Sequence, residues 1–193
     1  MSESTNAKTL GGIGALLIFI GIFVPSFGMI LAIVGFILTL VAVKHISEEL
    51  NDHPIFTNFL YAFILEIIGF ALAFVIILVT LQSVGGISYL MELQTMAYSQ
   101  PAEILDYLMP FITGAIVGFI CLCVFMIISA IFLKKSYDKI AEHTHVKWFS
   151  TTGLLMLIGA ATMIIFIGLI IIFVALLFQV IAFFSLPEKL TKK

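Results

Sequence analysis

Charge is what this sequence lacks. Only 10% of its 193 residues are Asp, Glu, Lys or Arg, whereas a soluble domain keeps roughly a quarter of its residues charged. Arginine is absent, and all the basic residues are lysines. An ordinary soluble domain is excluded, and so is a basic, aromatic-interleaved surface of the kind that binds nucleic acid. Strict alternation of polar and apolar residues is also missing, which excludes the strands of a membrane β-barrel. The opening residues "MSESTNAK" lack a basic n-region and an A-x-A-like cleavage site, so the expectation is that no signal peptide is removed.

What is present is apolar: 62% of the chain. Leu10–Val43, Phe111–Leu133 and Trp148–Pro187 carry no charge, and Ile55–Thr80 carries one acid, Glu66. Runs of about 18 or more such residues read as membrane-spanning helices. The fold class expected is an all-α, polytopic membrane protein forming a single integral membrane domain over residues 1–193.

The first run contains a contradiction. Leu10–Val43 as one helix would extend about 51 Å, against about 30 Å of bilayer hydrocarbon. At its centre stands Pro25-Ser26-Phe27-Gly28, with a preset φ at proline and conformational freedom at glycine. Two short helices joined by a turn at Pro25–Gly28 resolve it. The last run, about 57 Å as one helix, asks for a turn too, placed at Gly168.

Small residues tie the two runs together. Gly14, Gly21, Gly28, Gly35 and Ala42 recur at every seventh position, and Gly153, Ala160, Gly168, Ala175 and Ala182 repeat that spacing with one extra residue at the turn. The alignment sets Thr39 against Gln179. It predicts one hairpin occurring twice, as a parallel internal repeat flanking a longer pair. Six transmembrane helices are expected, at about 10–24, 29–43, 55–80, 108–133, 150–166 and 169–185, in three hairpins: short-short, long-long, short-short. Gly114 and Gly118 form a GxxxG pattern suited to close helix packing.

In this layout Lys8, Lys44, Lys134, Lys135, Lys139, Lys147, Lys189, Lys192 and Lys193 all fall on one side with both termini. The positive-inside rule makes that side cytoplasmic and places the protein in the cell membrane. The 81–107 connection is then external. Leu90, Leu93 and Ala97 suggest a short interfacial helix there, with Tyr89 and Tyr98 beside it. Pro101 and Glu103 suggest a helix start, with a bend at Pro110.

Few residues offer chemistry. Glu66 lies about 16 Å along its helix from Ile55, near the bilayer midplane. Such an acid is either a proton- or cation-coupled site or a hydrogen-bonded carboxyl that specifies packing. Thr39, Gln179 and Thr162 complete a candidate intramembrane polar set. Cys121 and Cys123 point about 200° apart on a helix, so they cannot pair or share a metal. His45, His53, His143 and His145 lie with acids in the two cytoplasmic loops, but their spacing matches no tight metal motif. "TLGGIGAL" lacks the spacing of a phosphate-binding loop, and no Ser-His-Asp set is recognisable. No metal, cofactor or enzymatic activity is expected.

The stretches "KTLGGIGALL", "GMILAIVGFILTLVAVKHISEE" and "IFTNFL" within Lys8–Leu60, with the closing "TTGLLMLIGA" and "VIAFFSLPE", resemble a family of small, mostly archaeal membrane proteins known as domain of unknown function 996. That resemblance implies a multi-pass, prokaryotic, uncharacterised protein, and it supplies no catalytic residues. The expected role is a non-enzymatic scaffold or accessory subunit, with the lipid bilayer, other membrane proteins or a second copy as partners. The alternative is a small proton- or cation-coupled transporter, or an oligomeric channel, using Glu66.

Overall fold

The computed structural model describes residues 3–89, 91–92 and 104–187, with side chains from residue 6 onward. The expected interfacial helix at Leu90, Leu93 and Ala97, Tyr98, the helix start at Pro101, and the terminal lysines lie outside the described residues.

Six α-helices account for nearly all of it: α1 Glu3–Gly21, α2 Gly28–Leu50, α3 His53–Ser83, α4 Ile104–Thr144, α5 Lys147–Ala161 and α6 Ile167–Phe184. A single 3-10 turn, Met163–Ile165, links α5 to α6. Several helices outrun the apolar runs that announce them. α2 continues through Lys44–Leu50 and α4 through Lys134–Thr144, because Lys, Glu and Ala propagate a helix as well as apolar residues do. Hydropathy marks the part of a helix that favours lipid, not its ends. Pro110 is accommodated early in α4.

The chain forms two compact units. The first is built within residues 1–65 and 127–193, the second within 66–126.

In the first unit, α1 and α2 touch through bare backbone. A Cβ on Gly14 would stand 2.6 Å from the Gly35 carbonyl oxygen, and one on Gly21 would stand 2.7 Å from that of Gly28. These pairs run in opposite order along the two helices, so α1 and α2 are antiparallel. α5 and α6 cross likewise, at Gly159 and Gly168. The expectation that Gly28 and Gly168 supply turn conformations is corrected here. Neither has a positive φ; Gly28 begins α2 and Gly168 stands second in α6, each at the point where the opposing backbone leaves no room for a side chain. The turns themselves are residues 22–27, which include Pro25, and 162–166, where Phe166 adopts the left-handed conformation at φ 61°. α5 accordingly ends at Ala161, not near residue 166.

α1 also packs on α6. Gly11 and Gly12 lie under the rings of Phe183 and Phe184, and Phe19 meets Phe173 at 5.1 Å between centroids. Gly153 brings α5 onto α4, where a Cβ would approach the Lys134 Cα to 2.9 Å. The best-buried core lies at the end of this unit where α2 turns into α3 and α4 into α5. Ile46, Leu50, Ile55, Ile140 and Leu186 surround Tyr137, Phe149 and Phe183 there. Phe149 packs edge-on to Tyr137 at 5.4 Å and to Phe183 at 5.1 Å.

The second unit pairs the remainder of α3 with the first part of α4. Gly69 faces Phe125, Gly118 faces the Ala73 carbonyl, and Gly114 receives the Thr80 side chain. The GxxxG face therefore packs against α3. Cys123 is buried and Cys121 half-buried, both free thiols. Tyr89 and Tyr107 stack at 4.6 Å. The Tyr89 hydroxyl donates to the Tyr107 carbonyl, and the Tyr107 hydroxyl donates to the Glu92 carboxylate.

Candidate functional site

The four candidate polar residues fall in different settings. Thr39 is fully buried on α2, and its hydroxyl donates to the Gly35 carbonyl at 2.9 Å. It also lies against Gly14 of α1. Gln179 is buried on α6, one turn before Phe183. Thr162 is not inside a helix but follows α5 as its C-terminal cap residue, and its hydroxyl donates to the Ile158 carbonyl at 2.8 Å. Those three belong to the first unit. Glu66 is half-buried on α3 and belongs to the second.

Other hydroxyls follow the same habit. Thr80, Thr113 and Thr152 each donate to a carbonyl four residues back, at 2.8 Å. This closes the hydroxyl into the helix that carries it and leaves nothing polar for the lipid to meet.

Two serines do something different. Ser129 of α4 donates to the Ala62 carbonyl of α3 at 2.9 Å, and Ser136 donates to the Ile55 carbonyl at 2.7 Å. One step further, Lys139 and His143 of α4 reach Asp52 in the α2–α3 turn. The Lys139 Nζ lies 2.9 Å from Asp52 Oδ2, and the His143 Nε2 lies 3.0 Å from the same oxygen. The four contacts form a ladder that pins α3 and the turn before it to α4 within the first unit. Sequence reasoning missed it, although a signal existed: Ser129, Ser136 and His143 recur at every seventh position. A lone serine in an apolar run is easily passed over, and its acceptor is a backbone carbonyl that no sequence motif marks.

Asp52 is the electrostatic centre of the loops. Burial alone would raise its carboxyl, but the hydrogen bonds from Lys139 and His143, reinforced by their charge, outweigh that and hold it below the ordinary carboxylate value. Next to it along α4, Asp138 takes Lys134 and accepts the Ser150 hydroxyl at 2.6 Å, joining α4 to α5. Among the described residues no three His, Cys, Asp or Glu side chains gather as metal ligands do. The arrangement is a clamp: cations and hydroxyls holding the carboxylates that tie α4 to its neighbours.

Four of the helices, α2, α3, α4 and α6, are long and apolar enough to cross a membrane. With hydroxyls directed at backbone carbonyls and charge kept, Glu66 apart, to the turns and the ends of the helices among the described residues, the class is an all-α membrane protein. The chain belongs to the family described as Protein of unknown function (DUF996), whose model matches residues 31–177. It is 37% identical over 188 residues to the uncharacterized protein MJ1644 of Methanocaldococcus jannaschii, an alignment covering 97% of this chain and 96% of that protein. No solved structure matches it.

Proposed function

We propose that this is a non-enzymatic scaffold or accessory subunit of a membrane assembly. Its six helices sit in the cell membrane as three hairpins, the first and last being copies of one unit, with both termini and the lysine-rich turns cytoplasmic. The observation that carries this reading is where the polar side chains spend their hydrogen bonds. Thr39, Thr80, Thr113, Thr152 and Thr162 close onto their own helices, and Ser129 and Ser136 close onto α3. A transport route needs such groups free to meet a solute. Here they serve packing.

The second reading is a proton- or cation-coupled transporter, and Glu66 favours it. It is an acid on α3 in a stretch, Ile55–Thr80, with no other charge. Reconstituted vesicles separate the two. Under imposed proton, sodium or potassium gradients, the scaffold is expected to give the flux of empty vesicles, and Glu66→Gln to leave it unchanged. Flux that vanishes with Glu66→Gln would replace the scaffold with the transporter.

A further inference from the structure

The connections between helices are of two chemical kinds. The link from α3 to α4 and the helix ends beside it mix exposed Ile87 and Met91 with polar and charged groups, Gln82, Ser83, Glu92 and Asp106, and Tyr89 stacks on Tyr107. Tyrosines and charged groups are what an interface takes. The turns from α1 to α2 and from α5 to α6 are apolar without any such charged or tyrosine partner. Ile22, Phe23 and Phe27 are exposed in the first, and Ile164, Ile165 and Phe166 in the second, with Phe27 64% and Phe166 65% exposed. Neither turn carries a charge, a tyrosine or a tryptophan.

Most of their backbone amides are closed as well, those of Ser26 and Phe27 at the tip of the first turn donating to none. The amides of Ile22, Phe23 and Val24 donate to carbonyls in the last turn of α1, Gly28 donates to Val24 at 2.7 Å, and Pro25 has no amide to satisfy. In the second turn, Thr162 donates to Ile158, Ile165 to Thr162, Phe166 to Met163 and Gly168 to Thr162. Internal closure of backbone groups is the condition for placing an irregular segment in hydrocarbon.

Length agrees. Each of these hairpins has one arm too short to cross. α5 has 15 residues, about 22 Å of helix against about 30 Å of hydrocarbon. In α1 the stretch from Lys8 to Gly21 is about 20 Å. The shorter arm sets how deep a hairpin reaches. α3 and α4, with 31 and 41 residues, have no such limit.

We infer that only α3 and α4 cross the bilayer, and that the α1–α2 and α5–α6 hairpins enter from the lysine side and end among the lipid acyl chains. The ligand of each apolar tip is hydrocarbon, and the two hairpins act as wedges lodged in one side of the membrane. The inference is about insertion depth and goes beyond the scaffold reading.

The test uses the full chain in proteoliposomes, with Cys121→Ala and Cys123→Ala as background. Single cysteines are placed at Ser26→Cys and Ile165→Cys in the tips, at Ser88→Cys on the α3–α4 link, and at Glu48→Cys near the lysine end. Full labelling of every variant after SDS, and normal labelling of the two controls before it, establish that each is folded and reactive. An impermeant maleimide is expected to label Ser88→Cys from one side, Glu48→Cys from the other, and the tip variants from neither. A bimane attached to the tips in detergent before reconstitution is expected to be quenched by lipids carrying a doxyl group deep in the acyl chain. Tips labelled from the Ser88 side would mean four further crossings, and tips labelled from the Glu48 side would mean hairpins outside the membrane. Protection without doxyl quenching would mean that protein covers them. Each of these three results overturns the inference.

Discussion

Tyr137 carries a polar atom that its surroundings leave unsatisfied. Its ring fills the centre of the core beside Phe59, Phe149 and Phe183, while its hydroxyl is buried with no hydrogen-bond partner among the described residues. Such a group loses its water without compensation, at a cost of about 1–3 kcal/mol. Tyr137→Phe is therefore expected to raise thermal stability in detergent, whereas Tyr137→Ala should lower it by about 3–5 kcal/mol through the cavity it leaves. A loss of stability in the phenylalanine variant would mean that the hydroxyl is bonded. Asp52 makes the opposite case. Its carboxyl titrates below the ordinary value in the folded chain, so its stabilisation is fully present above about pH 4 and is lost as pH falls through the lowered value. Lys139 is partly exposed, which keeps the pair near the modest end, about 1 kcal/mol. Melting curves of wild type and Asp52→Asn should differ at pH 7 and converge as pH falls below 4. A gap that persists in acid would assign the effect to something other than the carboxylate charge.

At the scale of helices, the crossings are unequal, and substitution should rank them. Gly21, Gly28, Gly14 and Gly35 oppose backbone atoms, which cannot rotate aside. At Gly118 a Cβ would meet its nearest neighbour, the Ala73 carbonyl oxygen, at 3.4 Å, an ordinary contact. Gly28→Ala and Gly35→Ala are expected to cost about 2 kcal/mol or more by forcing α1 and α2 apart. Gly118→Ala should be neutral or slightly stabilising, since alanine is the better helix former. Detergent melting series over these variants would check the order, and an equal loss at Gly118 would contradict the packing of α4 on α3. The seven-residue stripe of small residues runs through Gly14, Gly21, Gly28 and Gly35, which meet one another where α1 packs on α2. Between α5 and α6 the stripe passes through Ala160, which is buried, while the close crossing is made by Gly159 with Gly168. Residues 22–27 intervene between Gly21 and Gly28, and 160–167 between Gly159 and Gly168. That longer connection shifts the angular phase of α5, and spacing along the chain cannot reveal a phase.

For the molecule as a whole, the distribution of exposed apolar surface is the dominant fact. Met29, Ile30, Phe74, Val79 and Ile170 are each more than half exposed, a surface that only lipid or a membrane partner makes tolerable. The best-packed core gathers instead where the basic turns lie. Stability is expected to depend on that end. Asp52→Asn combined with Ser136→Ala should lose more than either change alone, by roughly the sum of two bonds of about 1 kcal/mol each, because both hold α4 to the α2–α3 region. Far-UV melting of the single and double variants would reveal any departure from that sum.

Composition and hydropathy were sufficient to establish an all-α membrane protein with a break near Pro25 and another in the last run. Partition into lipid is a sum of side-chain transfer energies along a helix, and each term belongs to one residue whatever it touches. The clamp at Asp52, the serine ladder from α4 to α3, the helical course of Lys134–Thr144 and the choice of Gly159 over Ala160 all depend on which atoms meet. Residues distant in sequence supply the partners, and half of those partners are backbone carbonyls, identical in every residue. Their positions exist only once the helices have packed.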